Sequence, residues 1–175
     1  SLNCCTKGDV NVAKNYLATL TNVLKSKIDF AYPKENTLEE ALEKIKSLPK
    51  QDKPILLIEP ADNIGGGTPG DATDLLSRLL QSDHEGIVAI INDPAAVKEC
   101  YHHQVGEEIE LNIGAKFDDF HGSPIKLKAT IQKLSDGKFT LENKQSHLAS
   151  MMGMNIDMGL SAVIKNKQLT LLLTS

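Results

Sequence analysis

Residues 54–71 read PILLIEPADNIGGGTPGD, and this stretch decides the fold that the sequence predicts. A continuous apolar run over residues 54–59 leads into a loop with three adjacent glycines, and residues 72–81 then follow a helical pattern. A buried strand, a glycine-rich loop and a helix N-terminus form a place where backbone N–H groups converge on a polar or negatively charged group. Adjacent glycines weaken any regular element, so we interpret these three as serving a tight turn or the close approach of a ligand or another backbone.

A second continuous apolar run, Gly86–Ile91, follows the helical pattern. Such runs are typical of strands that are buried on both faces, as in parallel sheets. Together with residues 54–59 and the helix between them, this run predicts a βαβ unit with a parallel pair of strands. We expect Asp71 to be the N-cap of the helix over residues 72–81, and Asp74 to add negative charge in its first turn.

The remaining patterns complete a mixed sheet. Asp93 followed by Pro94 predicts a second helix that runs to about His103, with Asp93 as its N-cap. After Gly106 the apolar period changes from 3.6 residues to 2, which predicts antiparallel strands with one exposed face. The expected elements are strands at 109–113, 125–132 and 139–142, a long loop at 143–157, and a last hairpin formed by 160–164 and 169–173.

Two helices are predicted to precede this sheet. Apolar residues recur at helical spacing from Asp9 to Ile28, and Thr37 forms a capping box with Glu40 at the start of the second helix. A polar linker over residues 49–54 follows, so we predict a boundary between residues 1–50 and residues 51–175. The predicted fold class is α/β: a βαβ unit plus a second helix in a mixed sheet completed by antiparallel hairpins, preceded by two helices.

Composition narrows the classes of function. The chain has a net charge of −4, with four Phe, three Tyr and no Trp, so neither a basic surface nor a stacking surface for nucleic acid is predicted. No apolar run approaches the ~20 residues of a transmembrane helix, which argues against a membrane protein. Three cysteines without the spacing of a disulfide framework indicate reduced thiols, and we therefore expect a cytoplasmic protein.

Two phosphate-binding motifs nearly fit the glycine loop. Gly65, Gly67 and Gly70 have the spacing of the dinucleotide fingerprint, but five residues separate the predicted strand from the first of these glycines. Gly65 and Gly70 also have P-loop spacing, yet Asp71 stands where the P-loop lysine belongs. Both differences remove groups that would hold phosphates, so nucleotide binding is disfavoured.

Asp62 and Asn63 are the candidate functional residues. They lie just beyond the carboxyl end of the predicted first strand, where open α/β sheets place ligand groups. The alternative is that the glycine loop only lets the following helix pack tightly on the sheet. The histidines show no metal-ligand spacing, and Asp118 with His121 fits a solvated turn better than a metal site.

The segment Asp62-Asn63-x-Gly65-Gly66-Gly67-x-Pro69-Gly70-Asp71 resembles the C-terminal region of the MlrC (microcystinase C) family of metallopeptidases. The resemblance extends over roughly residues 10–175. It departs from the family pattern at Ile64, where Pro is usual, and at Ala115, where a second Gly is usual. Further matching positions are Asn92-Asp93-Pro94, Val105-Gly106, Lys116, Leu134–Phe139, Met158-Gly159 and Leu172–Ser175.

This resemblance implies a zinc-dependent hydrolase of amide bonds whose zinc ligands lie in an N-terminal catalytic domain outside this chain. Residues 1–50 would be the helical connector or tail of that domain, and residues 51–175 an MlrC C-terminal-type domain truncated at its C-terminus. The fragment alone would then hold no zinc and have no activity. Its expected partners are the N-terminal catalytic domain and a small peptide or amide substrate, and a homo-oligomer stays open.

The resemblance also implies roles for the glycine loop. Asp62 and Asn63 would position substrate polar groups or metal ligands, and the amides of Gly65, Gly66 and Gly67 would bind a carbonyl or carboxylate. The competing interpretation is a non-catalytic binding or oligomerisation domain in which the glycine loop is purely structural.

Overall fold

The computed structural model describes residues 2–32, 34–49 and 52–175, and the chain divides into two compact units, residues 1–55 and 56–175. The predicted boundary between residues 50 and 51, and part of the predicted linker, lie outside the described residues.

The described residues of the first unit form three helices. Asp9 caps the first helix by accepting hydrogen bonds from the backbone N–H groups of Asn11 and Val12. The predicted capping box is confirmed, because Thr37 and Glu40 exchange side-chain-to-backbone hydrogen bonds. The two predicted helices are present, with one short additional helix between them. Their bounds are α1 Val10–Ser26, α2 Ile28–Ala31 and α3 Leu38–Ser47.

The second unit is built around a mixed five-stranded sheet with the order β1-β7-β6-β3-β2. β1 and β7 are parallel, and the other neighbouring strands in this sheet are antiparallel. A second sheet pairs β4 with β5. The α/β class and the mixed sheet are thus confirmed. The elements are α4 Asp74–Leu80, β1 Ile87–Asn92, α5 Pro94–Cys100, β2 Glu108–Ile113, β3 Ile125–Ser135, β4 Lys138–Thr140, α6 His147–Met152, β5 Asn155–Asp157, β6 Ser161–Lys165 and β7 Leu169–Thr174.

The core lies on one face of the five-stranded sheet. In β2, buried apolar residues alternate with exposed polar ones, as the period of two predicted. α5 closes this face with three buried side chains, and burial raises the pKa of the Cys100 thiol to about 11, which keeps it unreactive. The buried core consists of Leu76, Ile91, Ala96, Val97, Cys100, Ile109, Leu111, Ile113, Leu127, Ala129, Ile131, Ala162, Ile164, Leu169, Leu171 and Leu173.

The predicted βαβ unit is wrong in one of its strands. Residues 54–60 form no strand, and Leu56 and Ile58 are 80% and 78% exposed. The parallel partner of β1 is instead β7, near the end of the chain. The physical reason is that a buried strand requires apolar side chains and a neighbouring strand for its backbone hydrogen bonds. An apolar run in the sequence indicates only the first of these.

Three other predicted elements need correction. The predicted loop at 143–157 contains α6, which Ser146 caps through its side chain, and also β5. α4 begins at Asp74, two residues later than predicted, so Asp74 does lie in its first turn. The helix predicted after Asp93 is confirmed but ends earlier, at Cys100. Among the described residues, no helix is both long and apolar enough to cross a membrane.

Candidate functional site

The glycine loop, residues 61–70, is closed by the side chain of Asp62. One carboxylate oxygen of Asp62 accepts a hydrogen bond from Gly70 N at 2.8 Å, and the other accepts one from Ala72 N at 2.7 Å. Both oxygens therefore hold the far end of the loop against its beginning. This half-buried carboxylate acts first as a clamp that fixes the shape of the loop.

The exposed part of this loop, Asn63–Gly67, is called the tip. Its three glycine amides all donate hydrogen bonds within the tip: Gly65 N to the Asn63 side chain, Gly66 N to Asn63 O and Gly67 N to Ile64 O. In this conformation none of the three is available to a carbonyl or carboxylate of a ligand. The amides are engaged because Asn63 starts a short 3₁₀ turn over Ile64–Gly66 with its side chain. The sequence analysis did not predict this turn.

The glycines of the tip differ in what the fold requires of them. Gly67 has a φ of +92°, in the left-handed region that favours glycine. Gly66 has no such φ, and a Cβ placed on it would meet no described atom within 4 Å. The described part of the chain therefore does not explain a glycine at position 66, and tight packing of the helix on the sheet does not explain it either.

The glycine loop ends beside the carboxyl end of β1. Asn92 N donates to Gly70 O at 2.8 Å, and the Asn92 side chain donates to Pro69 O at 2.9 Å. The loop therefore does lie at the carboxyl end of a parallel strand, as expected for a ligand-binding position. That strand is β1 rather than the predicted strand at residues 54–59.

Two buried aspartates support the loop, and with Lys116 they form what we call the carboxylate frame. Asp93 is 2% exposed and accepts hydrogen bonds from Ala96 N and Gly114 N, which confirms its predicted role as an N-cap. It also forms an ion pair with Lys116 Nζ at 2.6 Å. One carboxylate thus joins the end of β1, the start of α5 and the segment after β2.

The predicted N-cap role of Asp71 is wrong. Thr73 occupies the cap position of α4, without a side-chain hydrogen bond to the helix. Asp71 is 1% exposed, and its Oδ2 accepts hydrogen bonds from Lys116 N at 2.7 Å and Phe117 N at 3.3 Å. Its partners are thus amides 45 and 46 residues away, which local sequence reasoning could not identify. The other oxygen, Oδ1, is buried and accepts no hydrogen bond from the described residues.

The backbone after β2 packs directly on the frame. Gly114 has a φ of +67°, and a Cβ there would lie 2.5 Å from Thr73 Cγ2 and 2.7 Å from Asp71 O. The next residue, Ala115, has a φ of +45° although it is not glycine. A left-handed conformation favours glycine, which is the residue that the resemblance predicts at position 115.

The segment 117–123, called the 117–123 loop, carries a histidine–carboxylate pair close to the frame. His121 Nδ1 lies 2.8 Å and 3.0 Å from the two carboxylate oxygens of Asp118. This hydrogen bond raises the pKa of His121, and the negative charges of Asp118, Asp62 and Asp71 raise it further. The pKa of Asp118 is lowered, first by the hydrogen bond from Phe120 N and also by His121. The His121 side chain is partly buried, at 17% exposed, in a segment whose Asp119 and Phe120 are exposed.

These contacts bring one predicted site residue, Asp62, into the same electrostatic environment as Asp71 and His121. Asn63, Gly65, Gly66 and Gly67 stay together in the exposed tip. Across residues 2–32, 34–49 and 52–175, no three His, Cys, Asp or Glu side chains are grouped so that they could hold a metal ion. The residues present therefore do not fit a zinc site, and no chemical step is assigned to zinc in this chain.

The chain is similar to parts of two longer proteins. Microcystinase C from Sphingomonas sp. is 30% identical over 84 residues, which are 47% of this chain and 17% of that protein. A solved structure from Mesorhizobium sp. BNC1, described as a candidate metallopeptidase, has a TM-score of 0.71 at 22% identity; the match covers 90% of this chain and 30% of that one. The solved structure shows a shared fold, and this chain spans less than a third of either protein.

The family model for the MlrC C-terminus matches residues 57–175. This range includes the glycine loop, the carboxylate frame and every strand of both sheets. The matched range is more than half of the chain. The chain therefore belongs to the MlrC C-terminus family.

Proposed function

We propose that this chain forms one wall of the substrate cleft in a zinc-dependent amide or peptide hydrolase. Membership of a peptidase-like family and the matches to parts of two longer proteins support this proposal. The zinc ligands would come from an N-terminal catalytic domain, with residues 1–50 as the connector to it. The chain alone would be inactive.

The observation that carries the proposal is that the tip is exposed and hydrogen-bonded internally, while hydrogen bonds fix the base of the loop. Asn63–Gly67 bond to one another, while Asp62 and Asn92 fix the base of the loop to the carboxyl end of β1. A surface that is exposed, fixed at its base and formed in part by three adjacent glycines allows a substrate backbone to approach closely. Gly66, which the fold does not require to be glycine, would lie at this approach.

The charges near the loop indicate which part of a substrate would lie there. Asp62, Asp71 and Asp118 surround His121, whereas the cation of Lys116 is already paired with Asp93. Three carboxylates around one histidine disfavour a negatively charged group. We therefore propose that the loop faces a neutral amide group of the substrate, or the amine part of the bond that is cleaved, and not a substrate carboxylate.

A second candidate is a non-catalytic binding or oligomerisation domain. It is favoured by Val88 and Ile90, which are 77% and 67% exposed on β1, an edge strand of the five-stranded sheet. Exposed apolar residues on an edge strand are typical of interaction surfaces. In either case we propose a cytoplasmic location, because Cys4, Cys5 and Cys100 form no disulfide.

The deciding experiment compares this 175-residue chain with a form extended at its N-terminus. Both are purified without chelator, their metal content is measured, and each is incubated with a mixed library of blocked tetrapeptides read by mass spectrometry. We expect zinc and peptide cleavage in the extended form only. An extended form that holds no zinc and cleaves no peptide would favour the binding-domain alternative.

A further inference from the structure

The backbone of His121 is fixed to the start of α4. His121 O accepts a hydrogen bond from Thr73 N at 2.9 Å, and the Thr73 hydroxyl donates to Ser123 O at 2.8 Å. Gly122 lies against the same turn: its φ is +107°, and a Cβ would be 2.4 Å from Thr73 Oγ1. The position of the imidazole ring relative to Asp71 and the glycine loop is therefore set by the fold.

The ring is also oriented. An ionised carboxylate only accepts hydrogen bonds, so His121 Nδ1 carries the proton that is donated to Asp118. Nε2 forms no hydrogen bond with any part of the chain that the structure describes. A histidine held in this way exchanges protons with its surroundings through Nε2.

The charged groups that face the ring come from three segments. Asp62 belongs to the glycine loop, Asp71 precedes α4, and Asp118 belongs to the 117–123 loop itself; Asp74, the first residue of α4, lies beside Gly122. The charges of Asp62, Asp71 and Asp118 favour the imidazolium form. Because its pKa is raised, His121 keeps its proton to higher pH than an ordinary histidine and is suited to act as a proton donor.

We propose that His121, oriented by Asp118, donates its Nε2 proton to the nitrogen of the scissile amide. This inference rests on the proposed amide hydrolysis. The oxygen of water forms a bond to the carbonyl carbon, the C–N bond breaks, and its electron pair stays on nitrogen, which takes the Nε2 proton. The water proton is released to solvent, from which His121 is protonated again. Amine departure is the step that needs this proton, because an amide anion is a very poor leaving group.

The test exploits this dependence on the leaving group. The N-terminally extended form and its His121→Ala variant are assayed with a peptide that the library identifies and with the ester that has the same acyl part. We expect His121→Ala to lower kcat/KM for the peptide roughly 100- to 1,000-fold, and for the ester by less than about tenfold. His102→Ala is the control, because the His102 side chain is largely exposed and, among the described residues, its one ion pair is with Glu99.

Equal losses with peptide and ester would show that His121 only supports the structure, and no loss would overturn its role altogether. If the unsubstituted form cleaves no peptide, the proposed hydrolase function itself fails, and this result is distinct from an active enzyme that does not need His121.

Asp118 is a positioning residue in this scheme, and Asp118→Asn tests it. The variant should lower kcat/KM for the peptide about 10- to 100-fold. It should also move the alkaline limb of the pH profile to lower pH, because the partner that raises the pKa of His121 is lost. NMR titration of His121 in the 175-residue chain gives an independent readout. A pKa at or below the ordinary 6.5 in the unsubstituted chain would contradict the donor role.

Discussion

The carboxylate frame and the tip of the glycine loop differ in almost every physical respect. Asp71 and Asp93 are 1% and 2% exposed and bond to amides more than 20 residues away. The tip, Asn63–Gly67, is exposed and bonds only to itself among the described residues. The motif over residues 62–71 therefore contains a buried residue that stabilises the fold, Asp71, and an exposed tip that can contact a ligand. Substitutions in the two parts should consequently separate stability from activity.

The largest effect is expected in the frame. Asp93→Ala leaves the cation of Lys116 without its buried partner and removes the cap of α5, so the free energy of unfolding should fall by about 3–5 kcal/mol. Denaturant unfolding followed by circular dichroism measures this loss.

The chain offers a matched control for Asp93→Ala. Lys128 and Glu108 form an ion pair at the same distance, 2.6 Å, but both side chains are more than half exposed. Glu108→Ala should therefore cost less than about 1 kcal/mol. Similar losses in the two variants would mean that burial of Asp93 does not determine its contribution.

A smaller effect is expected within the tip, where two adjacent glycines should respond differently. Gly67→Ala should lower the free energy of unfolding by about 1–2 kcal/mol, because alanine is strained at a φ of +92°. Gly66→Ala should be neutral or stabilising by up to about 1 kcal/mol. Alanine lowers the conformational entropy of the unfolded chain, and its Cβ meets no described atom within 4 Å in the folded one. Thermal melts of the two variants make the comparison, and a destabilised Gly66→Ala would show that the tip is packed after all.

The smallest effect on stability is expected at the Asp118–His121 pair, and it should depend on pH. The raised pKa of His121 means that its contribution is complete below 6.5 and is lost as pH rises through the higher folded value. The lowered pKa of Asp118 means that the contribution is also lost as pH falls below 3.8. The difference in unfolding midpoint between the unsubstituted chain and Asp118→Asn should thus be larger at about pH 5.5 than at about pH 9. The same difference at both pH values would contradict the pairing.

Local signals in the sequence predicted much of this fold. The period of two identified β2 and β3, because buried apolar residues alternate there with more exposed polar ones. The β6–β7 hairpin was predicted from two apolar runs on either side of Lys165-Asn166-Lys167. The capping box at Thr37 and the Asp93-Pro94 start of α5 were also predicted, because cap residues and their partners are at most three residues apart.

Features that depend on distant partners were not predicted. The partner of β1 is β7, about 80 residues further along, and the partners of Asp71 follow β2. Residues 54–59 have the composition of a strand but no partner strand among the described residues. At the candidate site, Asp62 and the tip were identified by position, whereas the engagement of all three glycine amides follows from a turn that the sequence did not specify.

The central claim is that the glycine at position 66 of the tip serves the substrate and not the fold, and Gly66→Leu in the N-terminally extended form tests it most directly. A leucine fits the open space at this position without strain, so the melting temperature should not change. If a substrate approaches the tip closely, kcat/KM for the peptide should fall about 100-fold. Glu142→Leu, which adds the same side chain at another exposed position, should leave both quantities unchanged. Full activity in Gly66→Leu, with an unchanged melting temperature, would contradict the claim.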